Sequence, residues 1–353
     1  MKQNKKILIT YNAPVSIYPI YTGKPGVIDT DKQDLSEKGF AAEIEYIKSS
    51  LSEYYNVVET LAINRDIESA IYQIDEYEPD LIYNFVESIE GISSYEYCVA
   101  GVYELLGYEY TGNTPQTLGN CLNKSITKNI LRAFNINTPN SITISNTDDL
   151  KDDRFPLEFP VILKLLKEDA SIGISEFSVV NNFKMLNKQI EFLLNTYKSE
   201  IIIEEYIEGR ELNVAVLGNT VLPISEISFV GLPKDLPKIV TYESKWIDDS
   251  VYYNNTKPIC PAKLNGQIKK SIEDTAVKAI YALNCRDYTR VDIRLNKDNI
   301  PYVIEINPNP DISIDSGFNR AAKIYGLTHE QLLYKISEFA LGRTLNDTQD
   351  KAV

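Results

Sequence analysis

The residues best suited to chemistry stand near the carboxyl end of the chain. They fall within, or directly after, two segments of alternating apolar and polar residues, 290–295 and 300–306. These residues are Asp292, Glu305, Asn307 and Arg290. Oxygen ligands favour a hard cation such as Mg²⁺, which proteins usually hold with one or two carboxylates and substrate phosphates. The residue types therefore predict a magnesium site, provided that the chain brings these side chains together.

The alternation predicts that the two segments form a β-hairpin. The run Asn-Lys-Asp-Asn at 296–299 separates the strands, and a turn centred on its middle places Arg290 opposite Glu305. Asp292 is then diagonal to Glu305, and Asn307 follows on the same face. Because unpaired buried charges cost several kcal/mol, a ligand is expected to meet this group. The alternative is a solvated hairpin with an Arg–Glu pair, and a register slip of one residue would break the site.

Two runs in this stretch resemble a known family. Arg-Val-Asp at 290–292, followed by Glu-Ile-Asn-Pro-Asn-Pro at 305–310, is similar to the metal-binding end of the ATP-grasp ligases, in the D-alanine–D-alanine ligase branch. The resemblance implies that the two carboxylates and Asn307 hold two Mg²⁺ ions, or Mn²⁺, on the phosphates of ATP. It also implies that Arg290 stabilises a tetrahedral intermediate.

A loop of small residues has the pattern of a phosphate lid. It contains Ser171 and Gly173 and lies between the apolar strand that carries Lys164 and a predicted returning strand at 177–180. Such a loop can close its backbone N–H groups over phosphates, because glycine permits close approach, and a lysine adds a point charge. ATP-grasp proteins have their lid at this place, although an ordinary hairpin loop would give the same pattern.

The segment 201–211 is expected to bind adenosine. Three isoleucines lead into a pair of glutamates, and Glu211 follows a glycine and an arginine. The resemblance assigns Glu204 to the adenine amino group and Glu211 to the ribose hydroxyls, and carboxylates suit these donors because they only accept hydrogen bonds. The backbone assigned to the ring edge is that of Glu205, Tyr206 and Ile207. The alternative is an acidic turn between two strands.

Two further lysines match phosphate-binding residues of the family. Lys124, on a helix predicted at 123–134, is expected to contact the nucleotide phosphates. Lys245 lies in a long polar stretch at 241–261, and long irregular loops in compact domains are often functional lids. The resemblance implies that Lys245 reaches the γ-phosphate when this stretch closes.

The first substrate site departs from the family pattern. Tyr-Asn-Ala-Pro-Val-Ser at 11–16 replaces the usual Gly-Gly-x-Ser-x-Glu, with no carboxylate before Asp29, and Glu87 stands where a histidine is usual. We hypothesise that Glu87, with Glu90 or Glu96, binds a substrate amine or another cationic group. A solvated acidic loop is the alternative.

The acceptor side departs less. Ser316 matches the residue that holds the acceptor's carboxylate, and the backbone N–H of Asp311 can donate to an oxyanion. Asp311 replaces a glycine that is usual in the family, and its carboxylate is expected to repel an anionic substrate.

Composition excludes several classes of function. The chain has 353 residues and a formal charge of −14, which argues against binding to nucleic acid or to anionic membranes. Its four cysteines lack metal-type spacing and are expected to be reduced cytosolic thiols. Its one histidine, His329, lies just inside a Thr-x-x-Gln capping box and is expected to be structural. We expect a cytoplasmic protein that does not enter the membrane.

The predicted fold is α/β, of the ATP-grasp type. Alternating strands and helices from 6 to 112, with helices at 67–77 and 95–106, imply a parallel sheet with helices on both faces. Further along the chain we expect a strand at 221–228 and a last helix at 328–341. We expect a substrate-binding domain at 1–115, a lid subdomain at 116–205, a catalytic subdomain at 206–344 and a tail at 345–353, with the two subdomains clasping ATP.

The predicted activity is that of an ATP-dependent carboxylate–amine ligase working through an acyl phosphate. Its small-molecule substrates are expected to be amino-acid-like and to differ from a D-alanine pair. D-alanine–D-alanine ligation is the first alternative, and a non-catalytic ATP-binding regulator is the second. Members of the family are commonly dimers, so a homodimer is expected.

Overall fold

A computed structural model describes residues 2–12, 40–147, 150 and 155–350 of the chain. Residues 13–16, which belong to the segment that replaces the family's usual amine-binding loop, lie outside the described residues, and so does Asp29. The end of the predicted tail, at 351–353, also lies outside them. No helix in the described part of the chain is both long and apolar enough to cross a membrane.

The first part of the chain forms the predicted parallel sheet. Its strands pair in the order β2-β1-β3. Ile7 and Ile9 of β1 pack toward α1, whereas Leu8 between them packs toward α2 and α3. The strand is therefore apolar on both faces because helices cover both. The elements are β1 (Gln3–Asn12), α1 (Phe40–Leu51), β2 (Tyr55–Ile63), α2 (Ile67–Tyr77), β3 (Leu81–Phe85) and α3 (Tyr95–Leu106).

The next part forms an antiparallel sheet with the order β4-β7-β5-β6. Asn123 ends α4 and caps α5, since its side chain accepts hydrogen bonds from the N–H groups of residues 125 and 126. The strand predicted at 177–180 is wrong in its first half: residues 176–178 form a 3₁₀ turn capped by Ser175. The elements are α4 (Pro115–Leu122), α5 (Lys124–Ala133), β4 (Ser141–Ile144), β5 (Val161–Leu165), β6 (Val179–Val180), α6 (Phe183–Tyr197) and β7 (Ile201–Glu205).

The last part forms a second antiparallel sheet with the order β11-β10-β8-β12-β13 and β9 beside β8. A single strand predicted at 221–228 is wrong, because Pro223 has no N–H to donate and the segment divides into two strands. The stretch at 241–261 holds two short helices and a strand rather than irregular loop. The elements are β8 (Arg210–Leu217), β9 (Thr220–Val221), β10 (Ser225–Ser228), α7 (Tyr242–Trp246), α8 (Val251–Asn255), β11 (Lys257–Ile259), α9 (Gly266–Ala282), β12 (Tyr288–Leu295), β13 (Pro301–Asn307), α10 (Gly317–Tyr325) and α11 (His329–Asp350).

The two faces of this second sheet have different roles. Val291 and Ile293 of β12 pack with Ile272 and Ala276 of α9. The alternate residues of β12, at 290, 292 and 294, therefore point away from α9, because side chains alternate along a strand. These alternate positions carry the predicted site.

The hairpin β12–β13 is present, but its predicted register is wrong. Asp292 lies opposite Glu305, and Arg290 lies opposite Asn307. The loop at 296–300 is longer than predicted, and a bulge follows Asp292, so that Ile304 has no partner in the register. Together these features shift the pairing by two residues. Because a shift of two keeps side chains on the same face, the four residues still converge.

The last helix is longer than predicted. The prediction ended it near Leu341, whereas α11 continues to Asp350. Arg343 in this extension forms an ion pair with Asp287 and donates to the carbonyl of Tyr110, so the added turn is held against the rest of the protein. At its start, the Thr328 and Gln331 side chains bond each other's backbone N–H groups, as the capping box predicts.

Candidate active site

The end of the hairpin brings the predicted metal ligands together. Arg290 donates from Nε and Nη2 to the two oxygens of Asp292, at 2.8 and 2.9 Å. Asn213 of β8 and Asn307 of β13 also donate to Asp292, at 2.7 and 3.2 Å. Glu305 lies directly across the ladder. Asp292 is 6% exposed and would be costly to bury without these partners.

This donor set fits Mg²⁺. Two carboxylates face each other and one amide lies beside them, so all the ligands would be hard oxygens. Among the described residues no group of three His, Cys, Asp or Glu side chains is placed to hold a metal.

Positive charges surround Glu305. Lys124 lies 3.3 Å from its Oε1 and is itself 5% exposed. Burial alone would raise the pKa of Glu305, but Lys124, Lys164, Lys245 and Arg290 lower it to about 2. Four predicted site residues from four segments therefore act electrostatically on this one carboxylate, and Lys124 contacts it directly. A cluster of cations at this point is suited to polyphosphate.

The predicted phosphate loop, residues 168–174, contacts Lys124 of this cation cluster. Lys124 donates to the carbonyl of Glu168 at 2.6 Å and pairs with Asp169 at 3.2 Å. Burial alone would lower the pKa of Lys124, but Asp169 and Glu305 raise it, so Lys124 is charged. Ser171 has a φ of +61° and Gly173 one of +75°, which turns the loop sharply. Glycine suits position 173, because a positive φ strains most other residues.

The two predicted lids meet each other. Trp246 donates from Nε1 to the carbonyl of Ala170 at 3.4 Å, and the N–H of Tyr242 donates to the carbonyl of Ile174 at 3.1 Å. Lys245 lies between these contacts in sequence, on α7. The contacts therefore hold α7 against the phosphate loop.

Glu204 is held by two lysines, the predicted Lys164 and also Lys128, which was not among the predicted site residues. The carboxylate is 1% exposed, with Lys164 3.0 Å from Oε2 and Lys128 3.1 Å from Oε1. Burial would raise the pKa of Glu204, but the lysines lower it overall. Burial and Lys164 lower the pKa of Lys128 to about 8, against the opposite effect of Glu204. Lys128 lies four residues after Lys124 on α5, a spacing that places both on one helix face.

The other predicted adenosine residues lie at the junction of β7 and β8. The side chain of Glu205 accepts from Asn140 at 3.0 Å and from the N–H of Glu158 at 3.2 Å. Tyr206 donates its N–H to the carbonyl of Pro160 at 2.9 Å, and Ile207 follows it in the turn. These bonds fix the backbone that the resemblance assigns to the ring edge.

Glu211, at the start of β8, pairs with a residue that the sequence analysis also missed. Arg294 Nη1 lies 2.9 Å from Glu211 Oε2, and both side chains are buried. Burial and Asp292 raise the pKa of Glu211, and Arg294 opposes them. Arg294 continues the alternation of Arg290 and Asp292, which was the available signal for it.

The predicted amine-binding glutamates differ in their surroundings. Glu87 is exposed, and its N–H donates to Asn12 at 3.1 Å. Glu90 is paired with Arg65 at 2.8 Å. Glu96 accepts a hydrogen bond from Asn309 at 3.2 Å. Asn309 lies two residues after Asn307, the last predicted metal ligand. Burial raises the pKa of Glu96 well above its usual range, and the charges of Glu87 and Asp169 add to this effect.

The acceptor loop, residues 311–316, is ordered by hydrogen bonds to its own side chains. Ser316 caps α10 by accepting from the N–H of Asn319 at 3.1 Å. Asp311 accepts from the N–H of Ser313 at 2.8 Å, which turns its carboxylate toward its own loop. Burial and the charges of Asp311 and Asp315 raise the pKa of Glu43, on α1, to about 7. No local sequence pattern marks Glu43, because its acidic neighbours are distant in the chain.

Comparison with known proteins gives the family. A family model described as D-ala D-ala ligase C-terminus matches residues 130–338. A D-alanine–D-alanine ligase A of Bacillus cereus is 31% identical over 245 residues, or 69% of this chain and 75% of that protein. An uncharacterised protein of Sinorhizobium fredii is 32% identical over 263 residues, or 74% of each chain.

Solved structures agree with this result. A D-alanine–D-alanine ligase of Bacillus anthracis complexed with ATP has a TM-score of 0.72 and 25% identity, over 98% of this chain and 100% of that one. A D-Ala:D-Ser ligase of Enterococcus faecalis has a TM-score of 0.68 and 19% identity, over 96% and 100% of the two chains, and supports the fold alone. The predicted α/β fold of the ATP-grasp type is confirmed. This chain belongs to the D-alanine–D-alanine ligase family of ATP-grasp enzymes, and it is an enzyme of the carboxylate–amine ligase type.

Proposed function

We propose that this enzyme uses ATP to join the carboxylate of one amino-acid-like substrate to the amine of another, and that the pair is not two D-alanines. The observation that carries the ligase part is the set of four cations around Glu305, beside Asp292. ATP binding alone does not require Arg290, whereas an oxyanion in a transition state does benefit from such a donor.

The reaction we propose has two steps. A substrate carboxylate oxygen attacks the γ-phosphorus of ATP, and ADP leaves, which gives an acyl phosphate. The second substrate's amine attacks the acyl carbon and loses a proton, and phosphate leaves as the amide forms. Positioning and charge stabilisation supply the catalysis, and no side-chain nucleophile is needed.

Each charged group has a part in this scheme. Lys124, Lys164 and Lys245 would bind the phosphates. Asp292, Glu305 and Asn307 would hold Mg²⁺, which would neutralise phosphate charge when bound. Arg290 uses Nε and Nη2 on Asp292, and no hydrogen bond among the described residues engages its Nη1. This group would donate to the oxyanion, together with the backbone N–H of Asp311.

The substrate side supports a specificity different from a D-alanine pair. Two pairs of carboxyl groups interact here, Glu96 with Glu87 and Glu43 with Asp311, and burial together with the neighbouring charge raises the pKa of Glu96 and of Glu43. Carboxylates at these places favour substrates that carry amines and disfavour an additional carboxylate. We therefore propose amino acids or amides with a cationic group.

Phosphate release tests this proposal. Purified protein would be incubated with ATP and Mg²⁺ and a panel of amino acids, singly and in pairs, and products would be detected by mass. Release with a pair that contains a basic amino acid supports the proposal. Release with D-alanine alone contradicts the proposed specificity and supports D-alanine–D-alanine ligation, which the named relatives favour.

Two other outcomes are informative. ATP binding with no release on any carboxylate–amine pair would contradict the ligase proposal and favour an ATP-binding regulator. We also propose the domain division at 115 and 205 and a homodimer, which limited proteolysis and measurement of mass in solution would test.

A further inference from the structure

Arg294 joins several segments of the proposed adenosine site. It is 4% exposed and lies on β12 opposite Glu211 of β8. Its Nη1 donates to Glu211 Oε2 and to the carbonyl of Lys238, each at 2.9 Å. Its Nη2 donates to the Tyr206 hydroxyl and to the carbonyl of Gly209, each at 3.2 Å. One guanidinium therefore connects β8, β12, the turn after β7 and the segment that contains Lys238.

The turn after β7 has little freedom to move. The Tyr206 ring lies over the Arg294 guanidinium, 4.8 Å from it, and the Tyr206 hydroxyl donates to the carbonyl of Lys238 at 3.1 Å. Gly209 has a φ of +150°, and a Cβ there would lie 1.8 Å from the carbonyl oxygen of Leu295. The turn thus packs directly on β12, and Arg294 holds it there.

Arg294 also limits how Glu211 can act. A carboxylate accepts through two oxygens, and Arg294 occupies Oε2. The charged pair is buried, so Glu211 would lose both its orientation and its charge partner without the arginine.

We propose that Arg294 is a positioning residue that fixes Glu211 with Oε1 directed to one ribose hydroxyl, and that it thereby sets the preference for ribonucleotides over deoxyribonucleotides. This inference rests on the proposed nucleotide role of Glu211. Arg294 itself contacts no substrate in this scheme.

Nucleotide binding tests the proposal. Calorimetric titrations with Mg²⁺ would compare ATP, 2′-deoxyATP and 3′-deoxyATP on the wild type, Arg294→Met and Arg294→Lys. A hydrogen bond to a charged group contributes enough that losing one hydroxyl should weaken binding to the wild type by about tenfold. The quantity to compare is the ratio of the deoxynucleotide Kd to the ATP Kd. In Arg294→Met this ratio should fall below about threefold, because ATP affinity falls while affinity for the deoxynucleotide stays nearly constant. The ratio does not depend on the fraction of folded protein, so a merely structural role would leave it unchanged.

Arg210→Met is the matched control. Arg210 bonds Glu226 through Nε and Nη2, at 2.7 and 2.6 Å, from the neighbouring position of β8 and hence from the opposite face. This variant also loses an Arg–Glu pair, and its ratio should equal that of the wild type. If Arg294→Met does not fold, Arg294→Lys decides, because a lysine keeps the charge but cannot engage all four acceptors.

A double variant tests whether Arg294 acts on nucleotide binding through Glu211. If Arg294 acts through Glu211, adding Arg294→Met to Glu211→Gln should leave the nucleotide ratio of Glu211→Gln unchanged. Wild-type discrimination in both Arg294 variants, or additive effects in the double variant, would overturn the inference. Equal binding of all three nucleotides by the wild type would also overturn it and leave the proposed ligase activity standing. A wild type that binds no ATP would overturn both.

Discussion

Replacing Arg290 by methionine should separate chemistry from nucleotide binding. Methionine keeps the apolar stem and removes the guanidinium that bonds both oxygens of Asp292. Asp292 keeps its hydrogen bonds from Asn213 and Asn307. The carboxylate thus retains its place, and the proposed metal site should remain intact. The proposed oxyanion donor is lost, which typically lowers the rate about 10²–10³-fold, or about 2.7–4 kcal/mol of transition-state stabilisation.

The assay is steady-state phosphate release with the substrate pair identified by the panel, alongside calorimetric titration with ATP and Mg²⁺. We expect kcat to fall by about two to three orders of magnitude and ATP affinity to change less than about threefold. Arg210→Met, on the opposite sheet face, should change neither value. A kcat within threefold of the wild type would refute the reasoning. So would a loss of ATP affinity equal to the loss of kcat, because Arg290 would then be a nucleotide-binding residue.

Three further variants test other parts of the structure. Lys128→Met leaves Glu204 with one of its two buried cations and should lower the free energy of unfolding by about 2 kcal/mol in urea titration. Gly112→Ala combines a φ of +88° with a Cβ that would lie 2.5 Å from the Asn309 side chain, so it should lower the melting temperature more than Gly107→Ala, where φ is +79° and nothing lies within 4 Å. Glu43 has a folded pKa of about 7, above the usual 4.5, so the folded state holds an extra proton and stability falls as pH rises from 4.5 to 7. Urea titrations should lose this slope in Glu43→Gln, with a gain near pH 8 of about 1 kcal/mol after allowance for solvent screening; an unchanged slope would contradict this cause.

Periodicity predicted the elements of the site better than their pairing. Residues 290–295 do form a strand and α2 and α3 have their predicted bounds, because these segments alternate or repeat strongly. The predicted register of the two strands was wrong because Ile304 is an ordinary strand residue, and nothing in its type marks a bulge. The predicted grouping survived only because the longer loop and the bulge each shifted the pairing by one residue, which together restored the face.

The missed residues share one property. Lys128, Arg294 and Glu43 each meet partners that are distant in the chain, and no local pattern specifies such contacts. Lys128 and Arg294 had weak signals in their spacing from predicted site residues. Glu43 had none, since it lies on an ordinary amphipathic helix.

The distribution of charge links these observations to specificity. The chain carries a formal charge of −14, yet Lys124, Lys164, Lys245 and Arg290 gather around one carboxylate. A negatively charged protein can therefore bind a polyphosphate only because its cations are concentrated at this point. On the proposed substrate side, burial and like charges together raise the pKa of Glu43 and of Glu96. A bound ammonium group would relieve both repulsions, and a second carboxylate on the substrate would add to them. These electrostatics support the proposed amine-bearing substrate.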